Sequence, residues 1–122
     1  LDQAEIINRM TDYVTANRDR IDAMIGLGDL VTGSVVRVWN QTGMAPGEIP
    51  VVGWGNSLDT TQGVMDGYVN AAMWQDPQAT SYMCLSAALM ETSSIPVGFN
   101  IITGALYEAD TAPLYHGIMG GN

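Results

Sequence analysis

Apolar side chains recur along this sequence in two different patterns, and each pattern predicts a different kind of element. Residues 3–19 have apolar positions at helical spacing with charged positions between them, which is typical of an amphipathic helix. Later apolar runs predict strands at 22–27, 49–54, 68–74 and 99–106, and the short run at 22–27 is typical of a strand covered on both faces. The segments between these runs predict three further helices, at 30–42, from Asn56 or Ser57 to about Asp66, and at 77–92.

Capping and turn residues fix the expected ends of these elements. Asp29 is predicted to cap the second helix, and Gly43 to end it. Asp76 followed by Pro77 is a strong helix start, a cap residue before proline at the first helical position. The segment 93–98 is predicted to be a loop, and the glycine-rich residues 111–122 an irregular tail.

The alternation of helices and strands predicts the fold class. It indicates an α/β fold with a doubly wound, mostly parallel sheet and helices on both faces. The chain opens on a helix with no strand before it, so one sheet edge is expected to be an exposed apolar strand. We therefore expect the molecule to be incomplete as given, either a fragment of a longer chain or dependent on a partner.

Three of the predicted strands end in short polar turns. The residues that these turns offer are Gly28 and Asp29 after the first strand, Trp54, Gly55 and Asn56 after the second, and Trp74 and Gln75 after the third. The carboxyl ends of parallel strands share one edge of the sheet, which is where open sheets bind ligands. Acceptors, amides and indole faces suit the binding of a small polar molecule.

Each of these residues also has a purely structural interpretation. Asp29 and Asn56 both stand where a helix cap is needed, and a carboxylate or amide can serve both purposes. Trp54 is either a rim aromatic of the core or a face that stacks on a ligand. Trp74 and Gln75 are neighbours, so they cannot both face a ligand unless the strand has already ended, and Gln75 is preferred.

Composition and charge exclude several classes of function. The 122 residues carry 13 acids against four arginines and no lysine, a net charge of −9 that disfavours nucleic acids and anionic membranes. No apolar run reaches the ~18 residues of a membrane span. His116 is the lone histidine, so no metal site or cofactor is expected, and no nucleophile has a base beside it for catalysis. The lone cysteine, Cys84, is expected to be buried and inert.

Two segments carry a resemblance to a known family. The first is residues 49–56, Ile-Pro-Val-Val-Gly-Trp-Gly-Asn, and the second is residues 67–77, which end in Gln75-Asp76-Pro77. Both segments resemble the C-terminal lobe of type 1 periplasmic sugar-binding proteins. These are the ribose, galactose and autoinducer-2 receptors of ABC importers. The resemblance covers about residues 3–110, so residues 1–110 are expected to be part of that lobe.

The resemblance also implies a set of site residues. Gly28-Asp29 matches the first ligand-contacting turn, Trp54-Gly55 the Phe-Asp of the second, and Gln75 the glutamine of the third. Gly28 stands where the family has an amide and Gly55 where it has a carboxylate, so two polar contacts are missing and Asn56 or Asp29 is expected to replace them.

The resemblance implies that the chain supplies half of an interlobe cleft for a monosaccharide, a polyol or a similar ligand. The implied setting is periplasmic or extracytoplasmic, with an N-terminal lobe and an ABC permease as partners, and with neither a cofactor nor insertion in the membrane. The alternative is the effector domain of a sugar-responsive LacI-type repressor, which shares the fold. An α/β enzyme is the third and least favoured interpretation.

Overall fold

The computed structural model describes residues 2–96, 98 and 104–121, and its helices and strands follow the predicted order as far as the fourth strand. The helices are α1 (Gln3–Asn17), α2 (Asp29–Thr42), α3 (Leu58–Met65), α4 (Pro77–Thr92) and α5 (Ala112–Ile118). The strands are β1 (Met24–Gly26), β2 (Val51–Trp54), β3 (Ala71–Trp74) and β4 (Ala105–Tyr107), and a short 3-10 turn at Arg18–Arg20 precedes β1. Of the predicted strand 99–106, residues 99–103 lie outside the described residues, Gly104 is not part of a strand, and residues 105 and 106 belong to β4.

The helix starts test the predicted caps. Asp76 accepts hydrogen bonds from the main-chain nitrogens of Gln78 and Ala79 and caps α4, as predicted. Ser57 rather than Asn56 caps α3, because its hydroxyl accepts from Thr60 N. The prediction that Asp29 caps α2 is wrong: Gly28 is the cap residue and Asp29 lies in the first turn, with its carboxylate bound elsewhere.

The four strands form one sheet in the order β1-β2-β3-β4. β1, β2 and β3 are parallel, and β4 runs antiparallel to β3 with Ala72 opposite Tyr107. The predicted α/β class with a mostly parallel sheet is therefore confirmed. β1 lies at the sheet edge, as expected for a chain that opens on a helix.

α2 and α3 pack on the face of the sheet that carries Val51, Ala72 and Tyr107, all of which are buried. Two glycines allow this packing, since a methyl group at Gly26 or Gly53 would run into the side chain of Thr32 on α2. Right-handed crossovers between parallel neighbours place successive helices on the same face, which explains why α2 and α3 lie side by side. The core accordingly lies between this face and the α1–α2–α3 layer.

The opposite face of the sheet is exposed and apolar. Register places Ile25 beside Val52 and Met73 beside Leu106, and these side chains are 67%, 40%, 37% and 64% exposed, respectively. Neither α2 nor α3 covers them, because both helices lie on the other side.

The prediction of an irregular tail is wrong for residues 112–118, which form α5. Ala112 is fully buried, and the ring of Tyr115 stacks on Tyr107 at 4.7 Å between centroids and lies 5.4 Å from Trp74. This helix is too short for a recognisable apolar period, and contacts with the core rather than local propensity hold it in place.

The expectation of a buried Cys84 is also wrong, because α4 has no buried residue. Tyr82, Leu85 and Leu89, which the helical spacing would place against a core, are 71%, 61% and 60% exposed. Within the described part of the chain, no helix has the length and apolar character needed to cross a membrane.

Candidate functional site

The polar turns after β2 and β3 are joined by the side chain of Asn56. Its Oδ1 accepts a hydrogen bond from Gln75 N at 3.0 Å, and its Nδ2 donates to Gln75 O. The last main-chain bond between the same two segments runs from Gly55 N to Met73 O, at 3.0 Å. The carboxamide of Asn56 therefore continues the pairing of β2 and β3 beyond the ends of the strands.

The turn after β1 joins the same network through Asp29. Asp29 Oδ1 accepts from Asn56 N at 2.9 Å, from Ser57 Oγ at 2.9 Å and from Thr60 Oγ1 at 2.8 Å. The carboxylate thus connects the start of α2 to the start of α3, and the helix dipole of α3 favours a negative charge at that point. The carboxyl ends of β1, β2 and β3 are consequently held together as one edge, here called the polar rim and defined as Asp29, Trp54, Asn56 and Gln75.

Trp54 and Gln75 form the exposed part of the polar rim. Trp54 Nε1 donates to Gln75 Oε1 at 3.3 Å, and the indole is 38% exposed. Trp54 shares a sheet face with Met73, so its ring lies on the open side of the sheet. An exposed indole beside an exposed amide offers a flat apolar face and polar groups to the same bound molecule.

Trp74 is not brought together with Trp54. It follows Met73 along β3 and therefore points to the opposite, packed face, where its ring contacts Tyr115. Trp74 therefore faces the packed side of the sheet, whereas the side chain of Gln75, which follows the end of β3, bonds to Trp54.

The two glycines of the predicted site differ in what surrounds them. Nothing lies within 4 Å of a methyl group built on Gly28, so the site there is open to a side chain. A methyl group on Gly55 would instead run into Tyr107 Oη, Ala72 Cβ and Thr60 Cγ2. The close packing beneath the turn therefore leaves no room for a carboxylate side chain at position 55.

Tyr107 is the residue beneath that turn which the sequence did not single out. Its fully buried side chain donates a hydrogen bond from Oη to Gly55 O at 3.0 Å. Burial, reinforced by the charge of Asp29 and then by Tyr115, raises the pKa of Tyr107 far above its usual value. Thr60 also bonds to the polar rim, and its place three residues after the cap Ser57 is a sequence feature that could have identified it. Nothing in the sequence could have identified Tyr107, because its position beneath the turn depends on the pairing of β3 with β4.

The charges at the polar rim are acidic. Three arginines pair with acids that are not members of the polar rim, Arg9 with Glu5, Arg18 with Glu48 and Arg37 with Asp59. Among the residues that the structure describes, no group of three or more His, Cys, Asp or Glu side chains is placed to hold a metal ion. An uncharged ligand fits such a surface better than an anionic one.

A groove of about 550 Å³ lies at the other end of the sheet, between α1 and the residues that lead into β1. It is lined mainly by apolar side chains and includes Met10, Val14 and Ile21. At the polar rim, by contrast, Trp54 and Gln75 are exposed.

Comparison with known proteins places this geometry in context. The family described as periplasmic binding protein domain matches residues 1–93. A search of curated protein sequences found no match.

Solved structures share the fold at low sequence identity. A galactofuranose-binding protein superposes with a TM-score of 0.75 at 18% identity, over 97% of this chain and 41% of its own. A solute-binding protein from Burkholderia graminis in complex with D-arabinose gives 0.79 at 18% identity, over 90% and 39%. The Caulobacter myo-inositol-binding protein gives 0.77 at 15% identity, over 98% and 40%.

The chain therefore spans about two-fifths of the length of these solved relatives. Their likeness establishes the fold, and the family match covers well over half of the 122 residues. This chain belongs to the periplasmic binding protein family.

Proposed function

We propose that this chain is part of the solute-binding component of an ABC importer and supplies one half of a cleft for a sugar or sugar-like ligand. The observation that carries the proposal is the polar rim, in which one hydrogen-bonded network joins the turns after β1, β2 and β3. Solved relatives of the same fold bind D-arabinose and myo-inositol, which are uncharged and rich in hydroxyl groups.

The chemistry of the polar rim fits such a ligand. The exposed face of Trp54 would stack on the C–H face of a sugar ring, while Gln75 would hydrogen-bond its hydroxyl groups. Asp29 Oδ2 accepts no hydrogen bond from the described residues, so it is available to a hydroxyl group as well. The network requires no cofactor, and we assign no catalytic step to it.

The remaining parts of the proposal concern the whole protein. The second half of the cleft would come from an N-terminal lobe, and the two lobes would close on the ligand by a hinge motion. The closed form would then be recognised by a membrane permease, and the protein would act in the periplasm or another extracytoplasmic space.

A thermal-shift screen of the full-length protein tests the proposal, with D-arabinose, D-fucose, D-galactose and myo-inositol as probes. A sugar at ~100 times its dissociation constant should stabilise the protein by about 2.7 kcal/mol. Trp54→Ala should abolish the shift while the variant still unfolds cooperatively, with at most a modestly lower midpoint, since the indole is partly exposed and lies outside the core cluster.

Tyr13→Ala is the matched control, because Tyr13 is also an exposed aromatic but lies on α1, far from the polar rim. Its variant should keep the full shift. The absence of any shift in the wild-type protein, or an undiminished shift in Trp54→Ala, would contradict the proposal.

A further inference from the structure

Asn56 differs from Trp54 and Gln75, the exposed residues of the polar rim, because its hydrogen bonds are made to other parts of the protein. Its main-chain nitrogen donates to Asp29, its Oδ1 accepts from Gln75 N, and its Nδ2 donates to Gln75 O. The side chain is half-buried, and both ends of its carboxamide contact the main chain of the next loop. These contacts fix the main chain of Gln75 relative to β2.

The side chain of Gln75 is oriented by a second contact. The indole N–H of Trp54 can only donate, so the atom of the Gln75 amide that faces it must be the oxygen. Within residues 2–96, 98 and 104–121, Gln75 Nε2 donates no hydrogen bond, and Gln75 is exposed. The amide therefore presents two N–H donors to the open side of the polar rim.

From these contacts we propose that Asn56 is a positioning residue: it fixes the loop that carries Gln75, and it acts on the ligand only through that side chain. This inference rests on the proposed sugar-binding function. The group opposite Gln75 Nε2 is then a hydroxyl or ring oxygen. In this inference Asn56 acts on the loop rather than on the ligand, because its Oδ1 and its Nδ2 both bond to the main chain of Gln75.

A double-mutant cycle distinguishes positioning from direct contact. Calorimetric titration of the full-length protein with the best sugar of the screen would compare wild type, Asn56→Ala, Gln75→Ala and the double variant. Loss of a hydrogen bond to a ligand corresponds to about a tenfold loss of affinity. We expect about tenfold from each single variant, and a double variant within about twofold of Gln75→Ala, because Asn56 acts only through Gln75.

Asn70→Ala provides the matched control. Asn70 Oδ1 accepts from Val51 N at 2.8 Å, so it also joins β2 to β3 by a side-chain amide, but at the opposite ends of the strands. Its removal should lower the unfolding midpoint of the free protein by about as much as Asn56→Ala does and leave sugar affinity unchanged.

Two results would overturn the inference while leaving the proposed function intact. Losses that multiply to about a hundredfold in the double variant would show that Asn56 acts independently of Gln75. An Asn56→Ala variant that is less stable but binds with wild-type affinity would show a structural role alone. If the wild-type protein binds none of the sugars, the proposed function fails first and the inference fails with it.

Discussion

Asp29 illustrates how one side chain can be assigned the wrong partner from sequence. An acid at the first position of a helix is commonly read as that helix's own cap. Here the carboxylate instead reaches across to α3, where Asn56 N, Ser57 Oγ and Thr60 Oγ1 all donate to the same oxygen. The residue was correctly located at the carboxyl edge of the sheet, but its partners lie 27 to 31 positions away and left no local signal.

The three contacts give a stability prediction. Asp29→Ala leaves a main-chain N–H and two hydroxyl groups without their acceptor, so the free energy of unfolding should fall by about 3 kcal/mol. Urea unfolding measures this loss. Asp12→Ala removes an exposed carboxylate from α1 and should change stability by no more than about 0.5 kcal/mol. Equal effects of the two substitutions would show that the Asp29 contacts contribute nothing.

Tyr107 gives a prediction about alkaline pH. Its pKa is raised in the folded protein, so an unfolded chain loses this proton first as the pH rises above about 10. Stability contributed by the neutral phenol is therefore complete below that pH and declines above it, by up to about 1.4 kcal/mol per pH unit.

Urea unfolding of wild type and Tyr107→Phe between pH 8 and 11 would test this. The variant should be less stable at pH 8, because Gly55 O loses its donor, but its stability should fall less steeply with pH. Identical slopes in the two proteins would refute the link to Tyr107.

At the scale of elements, local signals were sufficient for most helices and strands. The Asp76-Pro77 start of α4 and the Gly43 end of α2 were predicted to the residue. α5 was missed because seven residues with glycine nearby have little intrinsic preference for a helix. Its stacking on Tyr107 depends on a strand pairing that the sequence does not specify.

The helices also differ in how strongly they are held. Val35, Val38 and Trp39 of α2 are fully buried, whereas α4 has no buried residue. Amide hydrogens of α4 should therefore exchange through local opening, faster than those of α2, which require opening of much of the core. Hydrogen exchange followed by mass spectrometry measures both helices in one sample. Equal protection of α2 and α4 would contradict the expected difference.

At the scale of the whole molecule, the alternation of helices and strands was enough to predict the α/β class and the edge at which the polar turns meet. It was not enough to predict that α2 and α3 lie on the same face of the sheet, because the expected doubly wound arrangement has helices on both faces. The exposure of Ile25, Val52 and Leu106 follows from the placement of α2 and α3 on one side, a consequence of tertiary packing rather than of local pattern.

The three tryptophans occupy three different surroundings. Trp39 is fully buried in the core, Trp74 lies against Tyr115, and Trp54 alone stands at the polar rim with an exposed ring. Within this chain, a neutral soluble quencher such as acrylamide should therefore reach Trp54 far more readily than the other two. Intrinsic fluorescence then becomes an optical reporter of the polar rim. A bound molecule that shields the Trp54 indole would reduce the quenching, and no added label would be needed to detect it.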